Sequence, residues 1–202
     1  DRLTEVQERL VDLTEDPAAR GALLEKLGLV YTARLADDDK AANVWRRLLE
    51  LDPEHRKAQA ELKKKFLAEH DWASIEWFFR SYGTVAEWVR TLESQAKHIT
   101  DEAEKTQLLF TAARLWQDEL SDQRRAVKAL EAVLDLTPRH ANAASMLVPI
   151  YRELQAWKKL PGVYDIVLEA TEDSAARQGL LLELSEVQEQ RLRDNDAAFF
   201  AY

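Results

Sequence analysis

The feature that most constrains this chain is that it repeats itself. Asp16–His55 can be laid on Asp101–His140 without a gap, with 11 identities in 40 positions. Asp16, Ala18, Leu23, Leu24, Leu35, Asp37, Ala41, Leu49, Leu51, Pro53 and His55 fall on Asp101, Ala103, Leu108, Leu109, Leu120, Asp122, Ala126, Leu134, Leu136, Pro138 and His140. A third, truncated copy begins at Asp173, where Arg177, Leu181, Leu192, Asp194 and Ala198 lie on Arg20, Leu24, Leu35, Asp37 and Ala41. What recurs is a spacing of leucines, alanines and capping residues. Each copy is therefore expected to bury its apolar face against its neighbours, as in a repeat array.

Within each copy the pattern is helical. Asp16-Pro17 is a helix start, with Asp as cap and Pro in the first turn. Leu23, Leu24, Leu27, Val30 and Tyr31 then recur on adjoining faces. Helices are predicted over 1–14 (Leu3, Val6, Leu10 and Leu13 on one face), to about Leu35, and on through Leu51. Another is predicted from Pro53 to about 69, then 72–82, 85–99, 102–120, 123–136, 139–154, 157–170, 174–192 and 195–202. Pro149 is expected to bend its helix or end it early, because it lacks an amide and clashes one turn back. With five glycines, five prolines and no alternating strand pattern, the fold class expected is all-α: an α-solenoid of antiparallel helix pairs.

The domain expected is a single helical-repeat domain over 1–202. The chain opens on Asp1 and is read as a piece of a longer one. The interval from Asp16 to Asp101 is longer than that from Asp101 to Asp173, and the surplus is expected to form an added short helix near 72–85. That stretch and its edge hold Trp72, Trp77, Phe78, Phe79, Tyr82 and Trp88. Trp72 is expected to be buried like Trp157. Successive helical residues point about 100° apart, so at least one of Trp77, Phe78 and Phe79 is expected to be exposed.

The sequence Leu24-x2-Leu27-Gly28-x2-Tyr31, followed by Ala41 and Pro53, resembles the tetratricopeptide repeat, with Leu24 in place of the leading Trp. Leu62 and Phe66 stand at the matching positions of the next block, and Leu147, Val148 and Tyr151 at those of a later one. The spacing departs from the family pattern, which makes this a divergent member. The resemblance implies that the first helix of each pair lines a peptide-binding concave surface. It places Lys57, Ala60 and Lys64 there in one block, and Asn142, Ser145 and Pro149 in another. The family's lysine, asparagine and arginine peptide clamp is present only in fragments.

The catalytic inventory is empty, and the chain is read as a non-enzyme. His55 and His140 occupy the same repeat position after Pro53 and Pro138 and are read as first-turn contacts. No His-x3-His pair suggests a metal. Asp37-Asp38-Asp39 lacks a glycine-centred calcium loop, and the isolated glycines cradle no phosphate. No cofactor is expected. There is no cysteine, and the formal net charge of −9 disfavours nucleic acid. No apolar run is long enough for direct membrane insertion, and the compartment is left open. Against the acidic total, Arg56, Lys57, Lys63, Lys64 and Lys65 cluster on one helix. The function expected is a protein–protein interaction scaffold for a protein or peptide partner, acidic in character. The partner-binding candidates are Arg56, Lys57, Lys64, Trp77, Phe78, Phe79, Asn142 and Ser145. The alternative is a structural module that forms a homo-oligomer through its aromatic helix.

Overall fold

The computed structural model describes residues 2–201. Among them there is no strand, and twelve α-helices follow one another through short turns. They are α1 (Arg2–Leu13), α2 (Pro17–Val30), α3 (Asp38–Leu51), α4 (Arg56–Ala68), α5 (Trp72–Tyr82) and α6 (Val85–Ala96). Then come α7 (Glu102–Asp118), α8 (Gln123–Leu136), α9 (Ala141–Glu153), α10 (Leu160–Ala170), α11 (Ser174–Val187) and α12 (Asn195–Ala201). The chain divides into two compact units, residues 1–88 and 89–202. From α1 to α5 in the first and from α7 to α12 in the second, successive helices pack as antiparallel neighbours, the arrangement of an α-solenoid.

The helix starts explain the spacing of the identities. Asp16, Asp101 and Asp173 each accept the backbone amide three positions on, those of Ala19, Glu104 and Ala176. Asp37, Asp122 and Asp194 do the same for Lys40, Arg125 and Ala197. In front of each second cap stands a left-handed residue: Ala36, Ser121 or Arg193. Across it the amides of Asp37, Asp122 and Asp194 reach back to the carbonyls of Tyr31, Trp116 and Gln188. One turn geometry is thus made three times. In the first and third copies the helix widens into a π turn, Tyr31–Leu35 and Gln188–Leu192, before this reversal.

His55 and His140 are caps as well, with Nδ1 accepting the amides of Ala58 at 3.2 Å and Ala143 at 3.1 Å. The first-turn reading of these histidines holds, but Pro53 does not begin α4. Asp52 to His55 form the turn, closed by the His55 amide on the Asp52 carbonyl, and the helix starts at Arg56. Pro149 neither ends nor shortens its helix. α9 continues past it to Glu153 and matches α4 at 13 residues.

The position of the extra helix needs correction. α5 is no insertion: the helical segment from Trp157 through α10 follows α9 as α5 follows α4, in the register that sets Asp101 on Asp16. The interval from Asp16 to Asp101 holds five helices, α2 to α6, and that from Asp101 to Asp173 holds four, α7 to α10. What the shorter interval lacks is therefore a helix in the position of α6. α6 in turn corresponds to α1. Glu8 of α1 accepts the Tyr31 hydroxyl at 2.5 Å, and Glu93 of α6 accepts the Trp116 indole N–H at 2.7 Å, and both members of the two pairs coincide in the same register. α1 to α5 are thus matched by α6 to α10, and the third copy follows without a helix in the α1 position.

Within each unit the core lies along the helix seams. Leu24, Leu27, Tyr31, Trp45, Leu48 and Leu49 are buried in the first. Leu108, Ala112, Trp116, Leu130 and Val133 are buried in the second. Environments match across the copies for Leu27/Ala112, Tyr31/Trp116, Val44/Ala129 and Leu48/Val133, whereas Leu23 is half-buried and Leu108 buried. Gly28 is required by its partner: a Cβ there would lie 2.6 Å from the Trp45 ring. On α1 the leucine face turns outward instead. Leu3, Val6, Leu10 and Leu13 are exposed, and Thr4 and Val11 face the core.

Candidate partner-binding grooves

α4 and α5 each present one face to a groove in the first unit. On α4 the spacing 56, 59, 60, 63 aligns Arg56, Gln59, Ala60 and Lys63, and on α5 the spacing 78, 79, 82 aligns Phe78, Phe79 and Tyr82. Together they line an open groove of about 250 Å³. Its floor is aromatic: Phe78 and Phe79 meet edge to face at 5.5 Å, and Phe79 stacks on Trp88 at 5.6 Å. Gly83 ends α5 beneath this floor, where a Cβ would collide with the Phe79 ring at 2.7 Å. The rim is cationic. Lys63 Nζ lies 4.8 Å from the Phe79 ring centroid, and Arg56 stands exposed at the other end. Neither forms an ion pair among the described residues. Glu87, the carboxylate at the groove's edge, is engaged by the amide and hydroxyl of Thr84 in a capping box. Burial pushes the Tyr82 hydroxyl above its ordinary pKa, helped by the charge of Glu50, so it stays a neutral donor.

The expected residues separate into several places. Arg56, Phe78 and Phe79 meet in this groove, but Phe78 and Phe79, at 5% and 4% exposure, belong to the core and offer a partner no more than a floor. Trp77 is the exposed member of the aromatic triplet, at 40%. Its cation comes from α3 and not from the basic helix: the Arg46 guanidinium lies 5.5 Å from the Trp77 ring and 5.2 Å from that of Phe66. Trp72 is half-buried instead of buried, and so is Trp157.

Lys57 reaches back toward α2, 3.5 Å from Glu25. Lys64 lines a second depression between α3 and α4, of about 250 Å³, over Trp45 and beside Lys65. There Lys65 is tied to Glu69 and Asp39. Burial would lower the Lys65 pKa, but the two carboxylates outweigh it and hold the value raised. Asn142 and Ser145 are exposed on α9 of the second unit, apart from any described groove. Lys63, Gln59 and Tyr82 were outside the expected set. Their 3–4 spacing from Arg56 and Phe78 was legible; which flank of α4 met α5 was not.

Among the described residues no group of three or more His, Cys, Asp or Glu could hold a metal ion. Among the same residues no helix is long and apolar enough to cross a membrane.

No family model matches this chain, and no curated protein matches it. Among solved structures it is similar to a crystal structure of MamA, at 18% identity over 86% of this chain and 89% of that one, with a TM-score of 0.40. A second MamA crystal structure aligns at 16% identity over 90% and 87%, also with a TM-score of 0.40. A structure of Pseudomonas aeruginosa pilF aligns at 18% identity over 92% and 90%, with a TM-score of 0.33.

Proposed function

We propose that this chain is a protein-interaction scaffold and that the α4–α5 groove receives an acidic peptide segment bearing an apolar side chain. The observation that carries this reading is the pairing of an aromatic floor with two cations, Arg56 and Lys63, that have no carboxylate partner among the described residues. An apolar anchor set in a charged rim is how short segments gain both affinity and register. In the second unit the repeat register replaces Arg56, Lys63, Phe78 and Tyr82 with Ala141, Val148, Val163 and Val167. The groove chemistry therefore belongs to one unit and is not demanded by the repeat.

The test is to select peptides from a random displayed library on the purified chain and measure their affinities for variants. Selected peptides should carry Asp or Glu beside an aromatic or aliphatic residue, and Arg56→Ala with Lys63→Ala should weaken them at least tenfold. Selected peptides that bind this double variant as they bind the parent would remove the groove from the reading.

A second reading, self-association, is favoured by the exposed apolar face of α1 (Leu3, Val6, Leu10, Leu13) and by Trp77. Light scattering across concentration decides it: a monomer throughout excludes the oligomer.

A further inference from the structure

The second unit holds another basic groove, one that no run of charge in the sequence announces. It is an open depression of about 340 Å³ where the end of α6 meets α7 and α8. Three lysines surround it: Lys97 just past α6, Lys105 on α7 and Lys128 on α8. None forms an ion pair among the described residues. The floor is apolar, made by Leu109, Ala129 and Ala132. The one carboxylate among its lining residues, Glu93, is engaged by the Trp116 indole N–H at 2.7 Å.

The first unit shows what this place looks like when it is closed. In the repeat register Lys97 corresponds to Asp12 and Ala132 to Arg47. Arg47 and Asp12 form an ion pair across the seam, 2.6 Å apart. Lys128 corresponds to Asn43, and Lys105 to Arg20. Two of these changes act together. Ala132 removes the long side chain that spans the seam, and Lys97 reverses the charge of its partner. The result is a cleared apolar floor with clustered positive charge, in a chain whose formal net charge is −9. Three like charges around one depression repel one another, and an anionic occupant relieves that repulsion.

We infer that the α6–α7–α8 groove of the second unit binds an acidic peptide segment of a partner protein, with carboxylates on Lys97, Lys105 and Lys128 and an aliphatic side chain over Leu109. Charge complementarity selects this occupant: an apolar helix alone would leave three ammonium groups facing it unpaired. The site is separate from the α4–α5 groove and does not depend on it.

The probe is a fluorescein-labelled peptide, Asp-Glu-Leu-Asp-Glu-Leu-Asp-Glu, with its Asn/Gln counterpart as the neutral control, followed by anisotropy at low and high salt. The acidic peptide should bind and the neutral one should not, with affinity falling as salt rises. Lys97→Asp with Ala132→Arg, which installs the bridging pair of the first unit, should weaken binding at least tenfold with the fold intact by circular dichroism. Lys128→Ala should weaken it several-fold, and Arg56→Ala with Lys63→Ala should leave it unchanged. Absence of binding, equal binding of the neutral peptide, or undiminished binding to the bridged variant would each overturn the proposal. Loss confined to the Arg56/Lys63 variant would overturn it too, assigning the peptide to the α4–α5 groove instead.

Discussion

The two units solve the same packing problems with different residues, and the differences come in pairs. Gly28 lies against Trp45 in the first unit; the repeat register puts Ala113 and Leu130 in their places, and all four positions are buried. The large indole requires the bare backbone, and the smaller leucine goes with a methyl group. Arg46 lies over the Phe66 ring in the first unit, whereas Glu131 accepts the Tyr151 hydroxyl at 2.7 Å in the second. A ring with a hydroxyl calls for an acceptor; a bare ring offers its face to a cation. Asp12–Arg47 closes a seam in the first unit that Lys97 and Ala132 leave open in the second. The lesson is that the repeat keeps seams, not residues. Where a pair is broken on both sides at once, as at Lys97 and Ala132, the surface is released for other use.

The largest expected effect tests the first of these pairs. Gly28→Ala should destabilise the chain by about 2–3 kcal/mol, because the Trp45 ring cannot retreat from a close-packed seam. Gly28→Ala combined with Trp45→Leu, the composition of the second unit, should cost less than the two single changes added together, by about 1–2 kcal/mol. Chemical denaturation of the four proteins measures this. Strict additivity would break the comparison.

A smaller effect is expected at Tyr151. Its hydroxyl is held above the ordinary phenol range by burial and by the carboxylate it donates to, so it remains a donor at any physiological pH. Glu131 is held below the usual carboxylate range: burial would raise it, and the bonds from Lys159 and Tyr151 outweigh burial. Tyr151→Phe should cost about 1–2 kcal/mol, a hydrogen bond to a charged group, with Lys159 still serving Glu131. The matching change in the first unit, Phe66→Tyr, sets a hydroxyl beside the Arg46 guanidinium where the second unit has Glu131, and should not stabilise. A gain in melting temperature from Phe66→Tyr would show that the two solutions are interchangeable.

The smallest effect concerns acid. Asp71 caps α5 on the amide of Ser74, while the corresponding Ala156 makes no side-chain cap. The Asp71 carboxyl is held below its ordinary value, first by the Ser74 hydroxyl and then by the Ser74 amide. A depressed folded-state pKa gives stability that is fully present above the unfolded value, about 3.9, and is lost as pH falls through the folded one. Asp71→Asn keeps a capping oxygen without the charge. Its stability should fall less between pH 5 and pH 2.5 than that of the parent, by no more than about 1 kcal/mol. Equal acid sensitivity of the two proteins would remove the cap charge from the account.

Much of the fold follows from the sequence alone. The Asp positions, the leucine spacing and the shared His55/His140 are local signals, because a cap or a helical face involves residues within a few positions of each other. Those signals located the helices and the exposure of one residue in the Trp77–Phe79 triplet. They did not place the odd helix. The surplus of the longer interval was read from the aromatic crowding at 72–85, but crowding reports burial on several sides, and α5 owes that to its ordinary place beside α4. Only the match of Glu8–Tyr31 with Glu93–Trp116, side-chain contacts between one helix and the next, identified α6 as the counterpart of α1.

The groove residues divide in the same way. The basic character of α4 was legible in Arg56, Lys57, Lys63, Lys64 and Lys65, since charge is a property of composition. Which of those cations stays unpaired was decided by tertiary structure. Glu25 on α2 takes Lys57 and Asp39 on α3 takes Lys65, while the groove on α5 leaves Arg56 and Lys63 open. The lysines of the second groove are scattered over 97–128 and form no run. The sequence determined where helices begin, end and turn their apolar faces, because those are short-range energies. Which surfaces remain unfilled depends on the reach of side chains across a seam, and that is set only when the helices have packed.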